Sequence, residues 1–241
     1  SFLINMSNQI RTPISSIMGM NTMIMNTTHE VETKAFSQDI RNSAKTLMGV
    51  VNDILDYAKI QNGSVEIVPV QYDLRTTIRT VHDMVRTIAE EKELELRYEI
   101  DENLPSMLYG DEIRIRQCLL NLMSNAVKYT KHGMVSFSIH CEKNGAQDVF
   151  LRFIIRDTGM GMSEEQIQRL MHSKVVVDSE DVLSDGDNIG ASIVNYLLDS
   201  MGAQLHVHST LGEGTEVSFR LLQRVINWDP GDPFDVKHNS V

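Results

Sequence analysis

Apolar positions along the first quarter of the chain recur at helical spacing. Phe2, Met6, Ile10, Ile14, Ile17 and Ile24 follow one another at gaps of three, four and seven, and Phe36, Ile40, Leu47, Val51, Ile54 and Ala58 repeat the pattern. The polar stretch Asn26-Thr27-Thr28-His29, followed by Glu30 and Glu32, separates the two runs. This predicts a helical hairpin over residues 1–62. After Asn62-Gly63 the texture changes to alternation. Val65, Ile67 and Val70, and later Leu94, Leu96, Tyr98 and Ile100, read as strands around a helix over 74–89. A second helix is expected over 112–129. Strands over 134–141 and 149–155 flank the turn Lys143-Asn144-Gly145, and helices over 164–170 and 191–200 alternate with strands over 204–208 and 215–222. The predicted class is α+β: a helical domain over 1–62, an α/β sandwich over 63–224 and a tail or linker over 225–241.

Two helices have too little core to stand alone, and near-heptad stripes find partners, so the hairpin is expected to form a homodimeric four-helix bundle. The plainer alternative packs the stripes onto the chain's own second region. Pro13 sits inside the first helix, where it removes a backbone donor opposite Gln9 and is expected to kink it.

Composition narrows the function. A formal charge of −11 argues against nucleic acid or an anionic membrane as direct partner, because either selects a basic face. Cys118 and Cys141 form no spaced motif and read as packing residues in a reducing compartment. No run approaches the 18 or so apolar residues of a membrane span, and the opening residues form no signal peptide. The chain therefore reads as a cytoplasmic fragment of a longer protein.

Candidate chemistry lies in four segments. Asp111-Glu112-Ile113-Arg114 through Asn121, Asn125, Lys128, Tyr129 and Thr130 puts two amides and an ammonium on one helical face at spacings of four and three. Oxygen donors beside an ammonium suit Mg²⁺ and phosphate. Asp157-Thr158-Gly159-Met160-Gly161 directly follows a predicted strand, Gly212-Glu213-Gly214-Thr215 forms a glycine-rich turn, and Phe2 through Pro13 opens the chain. Together these resemble the catalytic core of sensor histidine kinases: N box, first glycine box, terminal glycine turn and phosphoacceptor segment. The resemblance implies ATP with Mg as ligand. It gives Asn121 and Asn125 to the metal, Lys128 to phosphates, Tyr129 and Asp157 to adenine, Gly159, Gly161 and Gly190 to close approach, and Thr215 to support of Asp157. It also implies a response-regulator receiver domain or a partner histidine kinase as partner, and a bacterial sensor with membrane anchoring upstream.

Three departures stand against that pattern. Asn8 occupies the position of the phosphorylated histidine and Gln9 that of its acidic neighbour; a carboxamide nitrogen, delocalised into its carbonyl, is not nucleophilic, and Gln9 cannot take a proton as a carboxylate does. The segment Met171 through Val177 lacks the family's phenylalanine. In Gly186-Asp187-Asn188-Ile189-Gly190, Asn188 replaces the middle glycine of the second glycine box, while Asp178, Glu180, Asp181, Asp185 and Asp187 crowd the lid against Lys174 alone. Like charges near a triphosphate oppose binding, so nucleotide affinity is expected to be weakened or lost. Asn188 tolerates a left-handed backbone, so the turn itself is expected to survive.

The reading is a pseudokinase that regulates a phosphorelay by protein binding. The alternatives are a receiver phosphatase in which Thr12 orients water, or an active-site-substituted form of a true ATP-dependent histidine kinase. An ATPase like gyrase is disfavoured because Asn121 stands where those enzymes place a water-activating glutamate.

Overall fold

The computed structural model describes residues 2–172 and 186–230, apart from 35, 42, 45, 46, 49, 50 and 52–64; the side chains of 2–9 and 186–189 also lie outside the description. The chain divides into two compact units, one holding residues 1–65 and 177–193, the other 66–176 and 194–241.

In the first unit, α1 (Phe2–Thr27) runs unbroken through Pro13. The described residues between 31 and 51 are helical and are called α2. The apolar stripe anticipated for each helix is in fact two stripes. Ile14, Ala44 and Val51 are buried together, with Met18 and Met48 against them. Asn21 donates Nδ2 to the Ser37 carbonyl at 2.6 Å, fixing an antiparallel register. Ile10, Ile17 and Ile24, a strict heptad on α1, remain exposed, as do Phe36, Ile40 and Leu47 on α2. Ile54 and Ala58 lie outside the described residues.

In the second unit, β1 (Val70–Tyr72), β2 (Glu95–Ile100), β3 (Pro105–Gly110), β4 (Met134–Asn144), β5 (Asp148–Asp157), β6 (His206–Thr210) and β7 (Gly214–Pro230) form one seven-stranded sheet. Its order is β1-β3-β7-β5-β4-β2, with β6 also on β7. Pairings are antiparallel except β2 with β4. One face carries a row of aromatic rings, with Phe153 stacked on Phe219 at 4.7 Å and tilted to Phe137 at 6.4 Å. Helix α3 (Leu74–Glu91) buries Leu74, Ile78, Val81, Val85 and Ala89, one stripe at helical spacing, and α4 (Glu112–Tyr129) buries Ile115, Cys118, Leu119, Leu122, Met123, Ala126 and Val127. Asp73 and Asp111 cap them, accepting from the amides of Arg75 at 2.9 Å and Arg114 at 3.0 Å. Helix α5 (Glu164–His172) belongs to this unit, as do residues 194–200 of α6 (Gly186–Ser200), whose residues 186–193 are counted with the first unit.

Four expectations are corrected. Residues 65–69 are irregular, so only Val70 of the first apolar alternation is strand. Strand β3 went unanticipated, because Pro105 and Gly110 disguise an edge-like sequence that the sheet buries at Leu108. The expected tail begins too early: β7 runs to Pro230, because its far edge is shared by β6 along 214–218 and by β3 along 224–230. The glycine turn expected at 186–190 is helical, forming the start of α6, and Asn188 has no positive φ there. Residues 173–185 and 231–241, which contain most of the lid and the rest of the tail, lie outside the described residues.

Candidate functional site

Helix α4 presents two faces. Its apolar face is buried, Asp111 caps it while also accepting the Val68 amide at 2.8 Å, and Glu112 pairs with Arg116 at 3.0 Å. Most of the signature over 111–130 thus has a folding role. Asn121, Asn125 and Lys128 point away from the buried face. Asn125 Nδ2 donates to Asn121 Oδ1 at 3.2 Å, so the two amides converge. Lys128 is exposed, its Nζ 5.1 Å from the centroid of the half-buried Tyr129 ring.

Asp157 ends β5 opposite Thr215 of β7. It is 9% exposed, and its carboxylate accepts the Gly159 amide at 2.8 Å and the Thr215 amide. Burial outweighs those two bonds and holds its carboxyl above the usual carboxylate range. Around it, Ser209 Oγ lies 2.9 Å from Thr215 Oγ1, donates to the Gly214 carbonyl at 2.9 Å, and accepts the Met162 amide at 2.8 Å. The loop 157–162 is thereby fastened to the 209–215 turn.

The glycines are explained by the protein's own backbone. A Cβ on Gly159 would lie 2.6 Å from the Tyr129 carbonyl oxygen, one on Gly161 2.0 Å from that of Thr210, and one on Gly214 2.0 Å from that of Asp157. Gly161 and Gly214 also have φ of +64° and +117°. These contacts account for Gly159 against the end of α4 and for Gly161 and Gly214 between loop and turn.

The described structure thus brings Asn121, Asn125, Lys128 and Tyr129 onto one helix, with the Tyr129 carbonyl accepting the Met160 amide at 3.4 Å from the Asp157 loop. Gly190 is buried in the other unit, on α6. Asn8 and Gln9 are helical residues of α1 whose side chains lie outside the description; Thr12, one turn on, is exposed. A residue the sequence did not single out is Lys92, whose Nζ donates to the carbonyls of Val127 at 2.8 Å and Lys128 at 2.7 Å. Nothing in its local pattern distinguishes it from a solvated helix-end lysine.

Among the described residues no cluster of three His, Cys, Asp or Glu is placed to hold a metal, and no helix is long and apolar enough to cross a membrane. The Asn121 and Asn125 side chains carry amide oxygens, a donor type that suits a hard cation. Cys118 and Cys141 are free, and burial raises their thiols to about 12 and about 11, which makes them poor nucleophiles.

Two families match this chain: His Kinase A (phospho-acceptor) domain over residues 1–63, and Histidine kinase-, DNA gyrase B-, and HSP90-like ATPase over 110–225. It is 33% identical over 224 residues to hybrid signal transduction histidine kinase B of Dictyostelium discoideum, covering 91% of this chain and 11% of that protein. It is 33% identical over 218 residues to sensor histidine kinase GacS of Pseudomonas protegens, covering 89% of this chain and 24% of that one. The chain therefore spans a tenth to a quarter of these relatives. The crystal structure of full-length ShkA in complex with AMPPNP superposes with a TM-score of 0.70 at 29% identity, over 93% of this chain and 46% of that chain.

Proposed function

We propose, from the premise that this chain belongs to the sensor histidine kinases as a phospho-acceptor domain joined to an ATPase domain, that it is a two-component signalling core unable to phosphorylate itself. The observation that carries this is Asn8 at the acceptor position, beside Gln9. Bound Mg-ATP supplies a transferable phosphoryl group, and a carboxamide offers it no nucleophile.

The ATPase half is fit to hold an adenine nucleotide. The buried Asp157 carboxylate accepts a hydrogen bond from an exocyclic amine; Asn121 and Asn125 offer amide oxygens to Mg²⁺; and Lys128 balances phosphate charge. The five acidic residues between 178 and 187 would oppose a triphosphate far more strongly at low salt than at physiological salt, so affinity is reduced relative to an active kinase. The output is then protein binding: a nucleotide-responsive dimer that engages a receiver domain or another histidine kinase in a phosphorelay. The exposed heptad Ile10, Ile17 and Ile24, with Phe36, Ile40 and Leu47, is the surface through which two hairpins would complete a four-helix bundle.

Calorimetric titration with Mg-ATP, alongside incubation with γ-labelled ATP, tests this reading. Saturable binding with no label in the protein is expected; label on the chain refutes it. A second reading, receiver phosphatase, is favoured by the exposure of Thr12 one helical turn beyond Asn8. It requires that a phosphorylated receiver decay faster with this chain than alone, and that Thr12→Ala remove the difference.

A further inference from the structure

The last carbonyls of a helix lack intrahelical partners, and the end of α4 is where Lys128 and Tyr129 sit. Each of these carbonyls is occupied. Ala126 takes the Thr130 amide at 3.2 Å and the Thr130 hydroxyl at 2.7 Å. Tyr129 takes the Met160 amide at 3.4 Å. Lys92 Nζ serves the rest, donating to Val127 at 2.8 Å, Lys128 at 2.7 Å and Thr130 at 3.3 Å. An ammonium has three N–H groups, and this one has three carbonyl partners.

The ammonium also comes from a rigid element. Lys92 is the C-cap of α3, its own amide bonded at 3.2 Å to the carbonyls of Ile88 and Ala89. Glu93 turns the chain at a φ of +55°, and Leu94 is buried, its amide held at 2.9 Å by Ala89. A cation at a helix C-terminus interacts favourably with the dipole, and its bonds to carbonyls are charge-assisted. On the far side of the same helix end, Gly159 leaves so little room that a Cβ would lie 2.6 Å from the Tyr129 oxygen. The Tyr129 carbonyl also accepts the Met160 amide at 3.4 Å, so displacing it loosens a bond to the loop that carries Asp157.

We propose that Lys92 is a positioning residue for the nucleotide site: it clamps the end of α4 so that Lys128, Tyr129 and the Asp157 loop keep one arrangement. This rests on the nucleotide-binding reading above, and its test separates the two. Amide hydrogen exchange of the protein without nucleotide, and calorimetry with Mg-ATP, are measured on the unaltered chain, Lys92→Met and Lys92→Arg. In Lys92→Met, exchange at Thr130 and Met160 should quicken roughly tenfold or more while Phe153 and Phe219 in the sheet keep their protection. Nucleotide affinity should fall by a similar factor, and Lys92→Arg, which keeps the charge and some donors, should recover part of both. Unchanged exchange at Met160 overturns the clamp. Faster exchange with unchanged affinity overturns the positioning role, and equal loss of protection throughout the sheet reduces Lys92 to a general stabiliser. If the unaltered chain binds no nucleotide, the reading above fails and the positioning role falls with it, while the exchange data still decide whether the clamp exists.

Discussion

Gly161→Ala discriminates between a glycine kept for a ligand and one kept for the fold. A Cβ there would lie 2.0 Å from the Thr210 carbonyl oxygen and 3.1 Å from Leu211 Cα, both backbone atoms that cannot rotate aside, and the residue has a φ of +64°. The left-handed conformation costs a residue with a side chain about 1 kcal/mol. Relieving the overlap separates the loop from the turn, where Gly212 donates to the Met160 carbonyl at 2.7 Å and Met162 to Ser209 at 2.8 Å. Losing those two bonds costs about 1 kcal/mol each, for a total of about 3 kcal/mol. For a chain of this size that lowers the melting midpoint of the ATPase unit by roughly 6–12 °C. Gly202→Ala is the control, because its φ is +73° yet nothing lies within 4 Å of the added Cβ. It should cost only the backbone term, roughly 2–4 °C. The assay is differential scanning fluorimetry without nucleotide. If the two variants melt together, or if Gly161→Ala keeps its stability and loses only nucleotide binding, the packing argument is wrong.

Asp157→Asn should be more stable than the parent at pH 7. Burial raises the folded carboxyl, so its contribution is full below the unfolded value of about 3.9 and is lost as pH rises through the folded one. The stability gap should therefore close as pH falls toward 4, read by thermal melts across pH, while nucleotide affinity at pH 7 falls roughly tenfold or more from loss of a charge-assisted bond. Ile17→Glu with Ile24→Glu places charges on the exposed heptad and leaves the Ile14, Ala44 and Val51 cluster intact; sedimentation should then report monomers of unchanged helicity. Exposing the unaltered chain to γ-labelled ATP should leave it unlabelled, and acid-labile label on the chain would refute that.

Much of the site was legible in one dimension because one helix carries it. Asn121, Asn125 and Lys128 share a face by spacing alone, and the caps and apolar stripe of α4 follow from Asp111 and the residues between Ile115 and Val127. That Asn8 offers a carboxamide and not an imidazole was also a matter of residue identity, since no packing makes a delocalised amide nitrogen nucleophilic. Tertiary structure decided what depends on neighbours distant in sequence. The stripe on α1 divides into a buried and an exposed part only because α2 covers Ile14 and leaves Ile17. Strand β7 reaches Pro230 because β6 and β3 share its edge, a pairing invisible to local propensity. Asp157 acquires its raised carboxyl from burial, Gly161 its necessity from the Thr210 carbonyl, and Lys92 its role from a helix end more than 30 residues away. Local periodicity determines which face of an element is apolar; which atoms it meets there is set by long-range packing.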